Sequence, residues 1–86
     1  MKLQHVRYFL KLFELNSFRE TAKACGIAPP TVSMAIKRLE VELGGALFQR
    51  RPVKPTPLAE RLHPFLKDLH LKAQAVEREA RRLLVA

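Results

Sequence analysis

Gly26 and the Pro29-Pro30 pair that follows it constrain this chain more than any other feature. Proline fixes φ and lacks an N–H, so it fits a first helical turn and breaks a helix elsewhere. Glycine directly after an apolar helical pattern suits a left-handed C-cap. Together they end one helix near Cys25, leave Ile27 and Ala28 as a tight link, and start another helix at once.

Upstream, Leu3, Val6, Phe9, Leu10 and Phe13 form an apolar stripe that predicts a first helix over residues 3–15. Ser17 is a good N-cap, with Glu20 three residues later as in a capping box. The second helix then starts at Phe18, with Phe18, Ala22 and Cys25 inward. In the third helix Val32, Ile36, Leu39 and Leu43 are spaced four, three and four and turn inward. Thr31, Ser33, Met34, Lys37 and Arg38 point outward, and Gly44-Gly45 stops the helix.

The segment from Leu47 to Arg50 reads as a short strand, Arg51-Pro52 as a turn, and the segment from Val53 to Pro55 as the partner strand, with Pro55 at an edge or end. Thr56 caps a last helix that has Pro57 at its first position and runs to about Leu84. Leu58, Leu62, Phe65, Leu69, Ala73, Val76, Ala80 and Leu83 recur along it with a mean period near 3.6 and form one apolar seam. Left exposed, such a seam is an aggregation hazard, so it is expected to meet a partner chain. Pro64 predicts a bend near residues 60–64, with a break into two helices as the alternative. The fold class is mainly α. A winged helix-turn-helix of three helices plus a short β-hairpin covers residues 1–56, with the helix-turn-helix at about 18–37. A linker or dimerisation helix covers residues 57–86.

A net charge of +8 on 86 residues calls for an anionic partner. Ten Lys and Arg stand against four Glu up to Lys54, a balance of +6, and the remainder contributes only +2. A hydrophobic fraction of 48% is too high for a disordered basic tail. The length fits one domain and leaves little room for an enzyme with its own pockets. Cys25 is the only cysteine; it suits a reducing cytoplasm and reads as a small buried hydrophobe. His63 and His70 lack the companions a metal site needs, and Ser33 and Thr31 lack a His or acid pattern. No catalytic residue, metal or cofactor is therefore expected. Neither a signal peptide nor an 18-residue apolar run is visible, and the narrow seam argues against a membrane-surface helix.

The amphipathic third helix can put its N-terminal tip into a major groove while its free N–H groups meet phosphate. The hairpin cations can reach the adjacent backbone or minor groove. Double-stranded DNA is the expected partner. The candidate contacts are Ser17, Pro29, Pro30, Thr31, Ser33, Met34, Lys37, Arg38, Arg50, Arg51 and Lys54. The alternative is a winged-helix dimerisation or protein-interaction module that does not bind operator DNA.

The residues Ser17-Phe18, Thr21-Ala22, Ile27, Pro30, Val32-Ser33, Ile36, Leu39-Glu40, Leu43-Gly44, Leu47-Phe48, Arg50 and Thr56-Pro57 together resemble the N-terminal domain of LysR-type transcriptional regulators. The spacing from Leu39-Glu40 to Arg50 is the most distinctive part. The resemblance implies a winged helix and an antiparallel homodimer through the last helix, in the bacterial cytoplasm at the nucleoid. It implies that Pro30 and Ser33 touch DNA, that Arg50 lies near the backbone, and that Ser17 caps its helix and can meet phosphate. A small-molecule effector is expected only if a C-terminal domain missing from this chain exists. The chain departs from the family pattern at Ala28, where Ser is usual, at Pro29, where Gln is common, and at Met34, where Arg is common. Its wing is also shorter. Gln and Arg are the usual bidentate base readers. Their loss shifts the expectation toward apolar contact with thymine methyls and toward DNA shape.

Overall fold

The computed structural model describes residues 1–85. Four helices and one hairpin follow in order: α1 (Leu3–Leu15), α2 (Phe18–Cys25), α3 (Pro29–Leu43), β1 (Phe48–Arg50), β2 (Val53–Pro55) and α4 (Pro57–Leu84). This is the expected mainly helical winged helix-turn-helix with its long last helix.

Local chemistry explains the boundaries. Ser17 Oγ accepts the Glu20 N–H at 3.1 Å, the one arm of the capping box made among the described residues. Gly26 ends α2 at φ 68° and Gly44 ends α3 at φ 83°, both left-handed, where a Cβ is disfavoured. At Gly45 a Cβ would stand 2.8 Å from Leu58 Cδ2, the end of a flexible side chain that would have to move aside. α3 begins at Pro29 with no side-chain cap from Ala28. Thr56 Oγ1 accepts the Ala59 N–H at 3.2 Å and donates to the Ala46 carbonyl at 2.7 Å, tying the start of α4 to the chain before β1.

α1 is the centre of the domain, packed against α2, α3 and α4. Val6, Phe9, Leu12, Ala22, Val32, Ile36, Leu39, Leu47, Phe48, Ala59 and Leu66 form one core. The Phe9 ring lies 5.6 Å from that of Phe48, centroid to centroid. Because three helices cover α1, its buried face is wider than a single stripe and takes in Leu12 and Tyr8. Leu3, at the helix start, is 51% exposed and belongs outside the stripe in which its spacing put it. In α2 the fully buried residues are Thr21 and Ala22, while Phe18 and Cys25 are only partly covered.

Thr21 is wholly buried, and its hydroxyl has no hydrogen-bond partner among the described residues. An unpaired buried hydroxyl costs about 1–3 kcal/mol, and a methyl of the same shape removes that cost. Thr21→Val should therefore raise stability by about 1 kcal/mol, read as a higher urea midpoint with unchanged slope. A lower midpoint would show that the hydroxyl has a partner in solution.

α4 is one helix through Pro64, so the break into two helices does not occur. Pro64 sits on the exposed side, where water can take the Glu60 carbonyl that proline leaves without a donor. The boundary expected after residue 56 is not a break in packing, since Ala59 and Leu66 of α4 lie in the same core as α1 and α3.

Candidate nucleic-acid interface

The inward positions of α3 are core, which fixes the rest of the helix outward. Pro29, Pro30, Thr31, Ser33, Met34, Lys37 and Arg38 are all exposed, and Met34 is 72% exposed. Pro30, Met34 and Lys37 follow at spacings of four and three, so they form one row along the helix. Lys37 has no acidic partner among the described residues, whereas Arg38 stands 3.9 Å from Glu42. His5, beside this face, has its pKa lowered, first by burial and then by the Lys2 charge.

The hairpin pairs Phe48 with Pro55, Gln49 with Lys54 and Arg50 with Val53. Gln49 Nε2 donates to the Pro52 carbonyl at 3.1 Å and braces the turn. Arg51 and Lys54 are exposed and have no acidic partner among the described residues. Arg50 is held differently. Its guanidinium lies 3.4 Å from Glu40 Oε1 and 4.8 Å from the centre of the Phe18 ring. Ser17 Oγ, expected to meet phosphate, already serves as the α2 cap and is partly covered.

Glu40 is the residue whose part here sequence reasoning missed. Its carboxylate accepts the Leu47 N–H at 2.7 Å and the Phe48 N–H at 3.4 Å as well as the Arg50 contact. The sequence signal was a glutamate next to the inward Leu39 on α3, ten residues before an arginine.

The α4 seam divides. Leu58, Leu62 and Leu69 pack partly against the chain's own core, and Ala73 is half-buried. Phe65, Val76, Ala80 and Leu83 are exposed, with Phe65 at 73%. At about 100° per residue, Ala59 and Leu66 lie to one side of the seam, and the core takes that side. The opposite edge of the seam, and all of it toward the C-terminal end, stay uncovered. An open apolar groove there is lined by Ala75, Val76, Ala80 and Leu83, with Glu79 at its side.

Among the described residues no group of three or more His, Cys, Asp or Glu could hold a metal ion, and no helix is long and apolar enough to cross a membrane.

Comparison with known proteins gives a consistent picture. Residues 3–60 match the family described as bacterial regulatory helix-turn-helix protein, lysR family. The HTH-type transcriptional regulator BenM of Acinetobacter baylyi is 48% identical over 59 residues, which is 66% of this chain and 19% of that protein. A probable nitrogen assimilation transcriptional activator of Synechococcus elongatus is 38% identical over 85 residues, 98% of this chain and 28% of the other. The chain thus spans under a third of either regulator. Among solved structures, the BenM DNA-binding domain in complex with catB site 1 DNA superposes with a TM-score of 0.91 at 34% identity, covering 100% of this chain and 98% of that one. An OxyR mutant of Corynebacterium glutamicum superposes at 0.89 with 34% identity, over 93% of this chain and 26% of the other.

Proposed function

The chain belongs to the lysR family of bacterial regulatory helix-turn-helix proteins and has the fold of their DNA-binding domain, and we propose that it binds duplex DNA sequence-specifically as a homodimer. The N-terminal half of α3 enters the major groove, and the hairpin lies on the adjacent backbone or minor groove. One observation carries the reading: the outward row of α3 is open and holds a cation, Lys37, without an acidic partner among the described residues, on a helix whose other face is locked in the core. The likeness to a BenM domain bound to DNA supports the same docking here.

Arg51 and Lys54 meet phosphates from the wing. Pro29, Pro30 and Met34 offer apolar surface suited to thymine methyls, and Ser33 a hydroxyl to a base edge or phosphate. Two copies pair through Phe65, Val76, Ala80 and Leu83 of α4, with Leu62 and Leu69 at the border of the contact. That spaces two recognition helices for a two-part site. The setting is the bacterial cytoplasm, at the nucleoid.

The test is fluorescence anisotropy with a duplex obtained by binding-site selection, titrated over a range of salt. Lys37→Ala should weaken binding to all sequences alike and lower the slope of log K against log[salt] by about 1. An unchanged slope would remove Lys37 from the phosphate contacts. A wild-type chain that bound no duplex at any salt would leave only a protein-interaction module.

A further inference from the structure

We propose that Glu40 positions the wing for DNA, and that Arg50 acts through Glu40 and not as a contact to phosphate. The inference rests on the DNA-binding reading above.

The hairpin has three residues in each strand. Two strands so short do not hold an orientation by themselves. Its direction must come from what grips its base, and the grip has two sides. On one side the Thr56 N–H donates to the Leu47 carbonyl at 2.9 Å and the Thr56 hydroxyl to the Ala46 carbonyl. On the other side stands Glu40. Its carbonyl accepts the Gly44 and Gly45 N–H groups at 2.9 and 3.1 Å, closing the end of α3. Its carboxylate then takes the N–H groups of Leu47, just before β1, and of Phe48, its first residue, together with the guanidinium of Arg50. One residue near the end of the recognition helix therefore ties down where the wing starts and where the wing's first arginine lies.

Arg50 completes the link. Its guanidinium rests against Phe18, the first residue of α2, while it pairs with Glu40 of α3. Both halves of the helix-turn-helix thus hold the wing. The Glu40 side chain is only 16% exposed, so its pair with Arg50 is less screened than one in open solvent. An arginine that left for a phosphate would leave that carboxylate without its cation. Arg51 and Lys54 carry no such tie among the described residues.

The sign of one substitution separates this role from plain electrostatics. Glu40 is a negative charge on a domain that approaches a polyanion, so its neutralisation alone should tighten binding. If Glu40 aims the wing, neutralisation weakens binding. Glu40→Gln keeps a neutral acceptor for the Leu47 N–H and loses the charge that holds Arg50.

The experiment compares wild type, Glu40→Gln, Arg50→Ala and the double variant on the selected duplex, by anisotropy and by hydroxyl-radical footprinting. The temperature is one at which circular dichroism shows all four folded. Glu40→Gln should bind about tenfold more weakly, the loss of one good contact. Protection should disappear at the flanks under the wing and persist under α3. The double variant should be no weaker than Arg50→Ala, because the two residues act as a unit. Equal or tighter binding by Glu40→Gln, additive losses in the double variant, or an evenly fading footprint would each overturn the proposal. Should Glu40→Gln not fold, Arg50→Ala decides. Loss of flank protection supports positioning, whereas an intact footprint with a salt slope lower by about 1 makes Arg50 a phosphate contact. A wild-type chain with no footprint overturns the DNA-binding reading and this inference together.

Discussion

Val76→Glu combined with Leu83→Glu should turn the proposed dimer into a monomer and cut affinity for a two-half-site duplex by about a hundredfold or more. The size follows from linkage. When one head of a dimer is bound, the other meets its half-site at a high effective concentration, and that gain vanishes with the second chain. Val76 and Leu83 are 68% and 60% exposed and lie outside the core, so the fold of the head has little to lose. Surface changes of this kind usually stay within about 0.5 kcal/mol. In the dimer each glutamate would be buried against apolar surface, where an unpaired charge is strongly disfavoured. On the proposed pairing, the end of α4 depends on the partner for a second reason. Beyond Ala73 it lies exposed, and an isolated helix shorter than about 12–15 residues is marginal in water. The monomer should thus lose helical circular dichroism from that end while the head keeps its melting transition. Sedimentation velocity and anisotropy on single and paired half-sites test the prediction together. A variant that sediments like wild type would place the dimer contact elsewhere.

That division of α4 was not legible from its spacing. A period near 3.6 tells which residues share a stripe, but not which side of the stripe the core will take. Ala59 and Leu66 reach the core because α1 approaches α4 from their side. The same limit explains α1. Leu12 falls outside the expected stripe, yet three neighbouring helices cover α1, and width of burial is a tertiary property. Thr21 shows it again: a threonine in a short polar helix gives no local sign that it will be sealed in. What was legible was local. Ser17, Gly26, Pro29, Gly44, Thr56 and Pro57 set helix ends through caps and φ preferences acting over a few residues, and all six stand at helix boundaries. The outward row of α3 was readable for the complementary reason, since strongly inward Val32, Ile36 and Leu39 leave the other side no choice. Arg50 was readable as a basic wing residue but not as a tethered one. Its partner Glu40 is ten positions away, and only the turn through Gly44 and Gly45 brings them together.

The largest stability loss should come from Phe9→Ala. Phe9 is wholly buried in α1 and faces Phe13 at 6.0 Å, Phe48 of β1 at 5.6 Å and His63 of α4 at 6.3 Å, measured between ring centroids. It is therefore the side chain through which the first helix holds both the wing's base and the start of the long helix. Removing a buried phenyl ring costs about 3–5 kcal/mol, part lost burial and part cavity. Small domains have a total stability near the low end of about 5–15 kcal/mol, so most of it would go. Phe13→Ala is the control. Phe13 is only partly buried and stacks on His63 at 4.1 Å, so a less complete burial is lost and the cost should be smaller. Urea unfolding monitored at several protein concentrations separates domain stability from dimer linkage. Phe9→Ala should unfold at a much lower midpoint, well below Phe13→Ala, and lose DNA binding in proportion to the unfolded fraction. If the two variants unfold together, the core is not centred on Phe9, and the hold of α1 on the wing must run through Leu47 and Phe48 with other partners.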